Sequence, residues 1–101
     1  MELRNSVKVV EGDIIVRNVE LNGNDIIDYY YLEEAGELQK EIIKGLRGNL
    51  NMKNFVEEMA DVYYTLSMLR QKYNVTDEEI NECIREKERQ AYEKLKRDSN
   101  K

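Results

Sequence analysis

The pattern of apolar residues changes after the first 22 residues of this 101-residue chain. Before that point, β-branched residues lie on both sides of a glycine: Val7, Val9, Val10, Ile14, Ile15, Val16 and Val19. β-branched runs around a glycine turn favour a short β-hairpin. A short helix packed in the same place is the alternative. We expect residues 1–22 to form a separate N-terminal segment.

From Asn24 onwards, apolar residues recur at steps of three and four, which is the period of an amphipathic helix. The first stripe consists of Ile27, Tyr31, Ala35, Leu38, Ile42 and Leu46. It predicts helix A over residues 25–46, with Asn24 or Asp25 as its N-cap. Gly45 and Gly48 supply places where this helix can stop.

A second stripe predicts helix B over residues 53–73, with Asn51 or Asn54 as its N-cap. Its apolar positions are Phe55, Met59, Val62, Leu66, Leu69 and Tyr73. Because the connection 47–52 is short, helices A and B are expected to pack antiparallel.

A third helix is predicted after a capping box, in which Thr76 is the N-cap and Glu79 lies three residues on. Helix C runs over residues 77–96, and its apolar stripe is thin: Ile80, Ile84, Ala91 and Leu95. We expect it to lie across the A/B pair or against another subunit, followed by a frayed tail at 98–101.

These elements predict an all-α fold in which residues 23–97 form an antiparallel helical hairpin plus a third helix. A chain of this length buries only roughly 60–68% of its unfolded surface. We therefore expect helical bundles to be completed between chains.

Composition excludes several classes of function. The net charge of −5 argues against a nucleic-acid-binding surface. An anionic substrate is still compatible with it, because a bound divalent metal inverts the local charge. The chain has no histidine, which excludes His-based triads and zinc–histidine sites. Cys83 is the only cysteine, so we expect no intrachain disulfide and interpret it as a small buried apolar residue.

The sequence predicts a cytoplasmic protein with no membrane contact. Glu2, Arg4 and Lys8 interrupt any apolar run at the start, so no signal peptide is expected. No stretch reaches the roughly 20 apolar residues of a membrane-spanning helix.

Paired acids lie on two consecutive helices. Helix A carries Glu34 and Glu37, and helix B carries Glu58 and Asp61, each pair three residues apart on one helix face. Both pairs border the apolar stripe, so antiparallel packing brings four carboxylates together. Such carboxylates repel one another unless a cation lies between them. Oxygen-only ligands suit Mg²⁺ or Mn²⁺, whereas a solvated acidic face is the alternative interpretation.

These residues resemble the MazG-like nucleoside triphosphate pyrophosphohydrolases. The segment LEEAGELQKEI at 32–42 is similar to that family's first catalytic helix, and VEEMADVYYTL at 56–66 is similar to its second. The resemblance covers residues 25–90, whereas residues 1–22 do not match the helix that precedes the first motif in the family.

The resemblance implies hydrolysis of a nucleoside triphosphate, chiefly a deoxynucleotide, to a monophosphate and pyrophosphate. It implies that Mg²⁺, or Mn²⁺, is held by four ligands: Glu34, Glu37, Glu58 and Asp61. Glu33 matches an acidic position beside them and is a further catalytic candidate. The metal would offset phosphate charge and activate a water molecule.

Cationic and aromatic residues near the motifs are candidates for substrate binding. Lys40 on helix A and Lys87 and Arg89 on helix C are candidates for holding phosphate charge. Tyr64 is a candidate for stacking on the base. Exposed solubilising charge and a core tyrosine are the respective alternatives.

The family typically forms dimers or dimers of dimers, so the resemblance implies a homodimer or homotetramer whose pocket uses a second protomer. Two other functions are compatible with the same residues. One is phosphoribosyl-ATP pyrophosphatase, which shares the two-helix acidic pattern. The other is a non-catalytic helical module that binds a nucleotide or a protein partner.

Overall fold

The computed structural model describes residues 12–100, and over this range the chain forms helices joined by short turns. The helices are α1 (Gly12–Asn22), α2 (Ile26–Leu46), α3 (Met52–Lys72) and α4 (Asp77–Ser99). The predicted all-α class is confirmed. Helices A, B and C correspond to α2, α3 and α4, and α4 runs three residues beyond its predicted end at residue 96.

Local hydrogen bonds fix the starts of the last two helices. The side chain of Asn51 accepts a hydrogen bond from the backbone N–H of Asn54 at 3.1 Å and so caps α3. The Thr76 hydroxyl accepts from the Glu79 N–H, and the Glu79 carboxylate accepts from the Thr76 N–H, which completes the predicted capping box of α4. Asp25 occupies the N-cap position of α2 without a side-chain cap hydrogen bond.

Helices α2 and α3 form an antiparallel hairpin, as predicted. The first turn of α2 lies beside the last turn of α3, where Lys72 Nζ donates to Asp28 Oδ1 at 2.7 Å and the Tyr73 hydroxyl donates to Asp28 Oδ2 at 2.6 Å. At the opposite end, a Cβ added to Gly45 would lie 3.3 Å from Leu50 Cδ1. Glycine therefore lets the connecting segment fold back closely onto α2.

Residues 12–22, part of the predicted hairpin segment, form helix α1 instead of a second β-strand. Ile15 and Val19, four residues apart, pack against the buried side chains of Ile27 and Met68. Strand propensity is a weak local preference, and this contact with the hairpin favours the helix. The other predicted strand, residues 7–10, lies outside the described residues.

The hydrophobic core of the described chain is small. Only Ile27 and Met68 are buried apolar residues in the range 12–100, and of these Ile27 is completely buried. The radius of gyration is 17.0 Å, whereas a compact domain of this length has about 13 Å. The chain is therefore extended and leaves much apolar surface open.

Helix α4 accounts for part of this extended shape. Over the described range, its backbone does not approach α1, α2 or α3, so it does not lie across the hairpin within one chain. Cys83 on α4 is exposed, which corrects the interpretation of this residue as buried. No helix in the described range combines the length and hydropathy that a bilayer span requires.

Candidate metal centre

Three of the predicted acidic residues converge between α2 and α3. Glu34, Glu58 and Asp61 each place one carboxylate oxygen within 4.8 Å of the others. Glu34 comes from α2, and the other two come from α3, one turn apart. Because α2 and α3 pack antiparallel, Glu34 lies opposite Asp61, and the three carboxylates come close together.

The pKa values of Glu34 and Glu58 are raised at this site. Burial raises the pKa of Glu34 above its ordinary value, and the negative charges of Asp61 and Glu58 raise it further. Burial also raises the pKa of Glu58, and the charge of Asp61 adds to this effect. No lysine or arginine in residues 12–100 forms an ion pair with these carboxylates. Among the described residues, the site therefore concentrates negative charge without a cationic side chain to balance it.

The geometry of the three carboxylates fits a small divalent cation. In an octahedral site with Mg²⁺–oxygen bonds of 2.0–2.1 Å, adjacent ligand oxygens lie about 2.9 Å apart and opposite ones about 4.2 Å apart. The three ligand oxygens lie within 4.8 Å of one another, so side-chain rotation that draws them closer would bring them to these spacings. In addition, Glu58 Oε2 is buried and has no hydrogen-bond partner in the described chain. A buried anionic oxygen without a partner is costly, and a bound cation would remove that cost.

Glu37, the fourth predicted ligand, does not join the three converging carboxylates. Its Oε1 accepts a hydrogen bond from Lys40 Nζ at 3.2 Å, one turn further along α2. The charge of Glu37 still reaches Glu58 and contributes to its raised pKa. Glu37 therefore lies close enough to the site to affect Glu58, while its own carboxylate pairs with Lys40.

Glu41 extends the acidic row by one further turn of α2. It is only 7% exposed, and its Oε1 pairs with Lys44 Nζ at 3.1 Å. Its Oε2 is buried and has no hydrogen-bond partner within residues 12–100. Its charge also contributes to the raised pKa of Glu58. Sequence reasoning missed this residue, although its four-residue spacing from Glu37 places it on the same helix face.

A cleft of about 260 Å³ opens beside the converging carboxylates. Its walls come from three helices: Ile14, Asn18, Tyr30, Glu34, Asp61, Tyr64, Thr65 and Met68. Tyr64, predicted to bind substrate, is therefore beside the site. Thr65 is buried and donates its hydroxyl hydrogen bond to the Asp61 backbone oxygen at 2.8 Å. The contribution of α1 to this cleft was not predicted, because the β-branched pattern pointed to a strand.

The two basic residues predicted on helix C lie away from the carboxylates in the single chain. Lys87 and Arg89 are exposed on α4, whose backbone does not approach the hairpin. Arg89 donates to Glu93 at 2.6 Å and also to Glu86, both on the same helix. Glu33 is exposed on α2 beside Glu34 and adds to the negative charge that raises the pKa of Glu34.

Comparison with known proteins finds no matching family model, no matching curated protein and no matching solved structure. The resemblance noted above therefore depends on the motif residues of α2 and α3.

Proposed function

We propose that this protein is a Mg²⁺-dependent nucleoside triphosphate pyrophosphohydrolase. One observation carries the proposal: Glu34, Glu58 and Asp61 bring carboxylate oxygens within 4.8 Å of one another from two antiparallel helices. A cleft of about 260 Å³, lined in part by Glu34 and Asp61, adjoins these carboxylates and is the proposed place for part of the nucleoside. The substrate is a nucleoside triphosphate, chiefly a deoxynucleotide, and the products are the monophosphate and pyrophosphate.

The chain's own residues have distinct tasks in this proposal. Glu34, Glu58 and Asp61 would hold Mg²⁺ or Mn²⁺, and Glu37, which pairs with Lys40 in this structure, would be the fourth ligand. When bound, the metal supplies positive charge for the phosphate oxygens and an activated water molecule. Lys40, which pairs with Glu37, would balance further phosphate charge, and exposed Glu33 would help to orient water. Phosphoryl transfer depends mainly on positioning and charge stabilisation, so a site without histidine is sufficient.

We also propose that the active species is a homodimer or homotetramer. Large apolar residues are exposed on α2 and α4, including Leu32 at 62% and Tyr92 at 73%. Together with the extended shape of the chain, this surface favours helical packing between copies. In such an assembly, Lys87 and Arg89 on α4 of one copy would serve the carboxylates of another.

The test is product identification. The full-length protein is incubated with Mg²⁺ and a panel of ribo- and deoxynucleoside triphosphates that also includes phosphoribosyl-ATP. Monophosphate with pyrophosphate is the expected result, whereas diphosphate with orthophosphate contradicts the proposed bond. Glu34→Gln and Asp61→Asn should each abolish the activity. Glu82→Gln, an exposed acid on α4, is the matched control that should retain it.

A further inference from the structure

The cleft beside the carboxylates has a second polar group on α1. Glu34 and Asp61 line the cleft on the hairpin, and Asn18 lines it on α1. Tyr30 and Tyr64 line the same cleft. The cleft therefore combines carboxylates, aromatic rings and a side-chain amide within one concave surface.

Two hydrogen bonds fix the orientation of the Asn18 amide. Its Nδ2 lies 2.8 Å from the backbone oxygen of Ile14, and its Oδ1 lies 3.0 Å from the Tyr30 hydroxyl. A backbone oxygen can only accept, so the amide nitrogen must face Ile14. The amide oxygen then faces Tyr30, whose hydroxyl proton is committed to it.

This arrangement leaves a defined set of hydrogen-bonding groups for a ligand. With respect to residues 12–100, Asn18 retains one free N–H donor and one oxygen lone pair, and the Tyr30 oxygen can still accept. Neighbouring donors and acceptors of this kind match the hydrogen-bonding edge of a nucleobase. Aromatic rings in the same cleft suit the flat faces of a base.

We propose that this cleft is the base subsite of the enzyme and that Asn18, held by Tyr30, determines base selectivity. The inference rests on the proposed function, since the triphosphate is assigned to the carboxylates. Its ligand class is a nucleobase that carries adjacent hydrogen-bond donors and acceptors, attached to the triphosphate. Helix α1 thereby acquires a role that its sequence did not indicate.

The experiment measures kcat/KM for the four common deoxynucleoside triphosphates and for inorganic tripolyphosphate, which has no base. The wild-type protein should favour one base over the poorest by at least tenfold and should use tripolyphosphate less well than the preferred nucleotide. Asn18→Ala and Tyr30→Phe should each reduce the base preference by about tenfold, mainly through KM, because one or two hydrogen bonds to the base are lost. Tyr30→Phe keeps the ring and so separates the loss of the hydroxyl from a loss of packing.

Asn22→Ala is the matched control, because Asn22 is exposed at the end of the same helix and does not line the cleft. It should leave the base ratios unchanged. Equal use of all bases by the wild-type protein, or unchanged ratios in both Asn18→Ala and Tyr30→Phe, would overturn the base subsite alone. A protein that hydrolyses none of these nucleotides would instead overturn the proposed function.

Discussion

Glu34 on α2 and Asp61 on α3 place carboxylate oxygens within 4.8 Å of each other, and neither pairs with a lysine or arginine in residues 12–100. This contact connects the two acidic motifs, which are remote in sequence. Two like charges at this distance destabilise the metal-free protein, and a divalent cation reverses the effect. The relationship between these two residues therefore makes metal-dependent stability the first property to test.

Mg²⁺ or Mn²⁺ is expected to stabilise the folded protein. At a concentration 100 times its dissociation constant, a ligand that binds only the folded state adds about 2.7 kcal/mol. For a domain of this size, that gain corresponds to a rise in Tm of roughly 10 °C or more. Thermal unfolding with and without the ion, at one protein concentration, measures it.

Glu58→Gln and Asp61→Asn should remove this rise, whereas Glu82→Gln should keep it. Both site variants remove one negative charge and leave the side-chain size almost unchanged. A wild-type Tm that does not respond to either ion would argue against the metal site. So would a rise that persists in both site variants.

Ionisation of Glu34 and Glu58 should make the metal-free protein less stable as the pH rises above 4.5, the ordinary pKa of a glutamate side chain. Their pKa values are raised in the folded state, so the folded protein binds protons more tightly than the unfolded chain. The stability that they provide is complete below the ordinary value and is lost as pH passes through the raised values. Asp28, whose pKa is lowered by its hydrogen bonds to Lys72 and Tyr73, acts in the opposite direction at lower pH.

A comparison with Glu58→Gln isolates this effect from the other carboxylates. Urea unfolding of both proteins is measured in chelator-treated buffer between pH 4 and pH 8. The wild-type protein should lose stability relative to the variant as pH rises. A difference between the two proteins that does not change with pH would show that Glu58 titrates normally.

The sequence predicted α2, α3 and α4 because their stripes and caps are local signals. The three-to-four-residue period locates the buried face, and Asn51 and Thr76 mark the starts of α3 and α4. The convergence of Glu34 with Asp61 was also predictable, because both border the stripe and a short connection favours antiparallel packing.

Other features depend on contacts that no local pattern encodes. Helix α1 forms because Ile15 and Val19 pack on Ile27, which outweighs the strand preference of β-branched residues. The Glu37 carboxylate pairs with Lys40 on the same helix, and this ion pair competes with a position beside the carboxylates of the neighbouring helix. The position of α4 had no clear signal, since its apolar stripe is thin, and its backbone does not approach the other helices of the described chain.

The small core makes Ile27 unusually important for folding. Its side chain is fully buried, and the core around it has few other members. Ile27→Ala should lower the free energy of unfolding by about 2–5 kcal/mol, through lost burial and a cavity. Leu21→Ala, at a residue 82% exposed, should change it by less than about 0.5 kcal/mol. Urea unfolding checks both, and equal effects would place the core elsewhere.

Association of the chain should depend on the outer face of α2. Tyr29, Leu32, Ile43 and Leu46 are exposed there and recur at steps of three and eleven residues, which places them along one face of the helix. The wild-type protein should behave as a dimer or tetramer by light scattering at micromolar concentration. Leu32→Glu should shift it towards the monomer, because a charge buried between helices is costly.

Leu21→Glu introduces the same charge at an exposed position on α1, outside this face, and should leave the assembly intact. Nucleotide hydrolysis measured on the same samples links assembly to function. If Lys87 and Arg89 serve the site of another copy, the monomeric Leu32→Glu protein loses activity while it retains its helical content. A wild-type protein that is monomeric and fully active would contradict both the assembly and the role of α4.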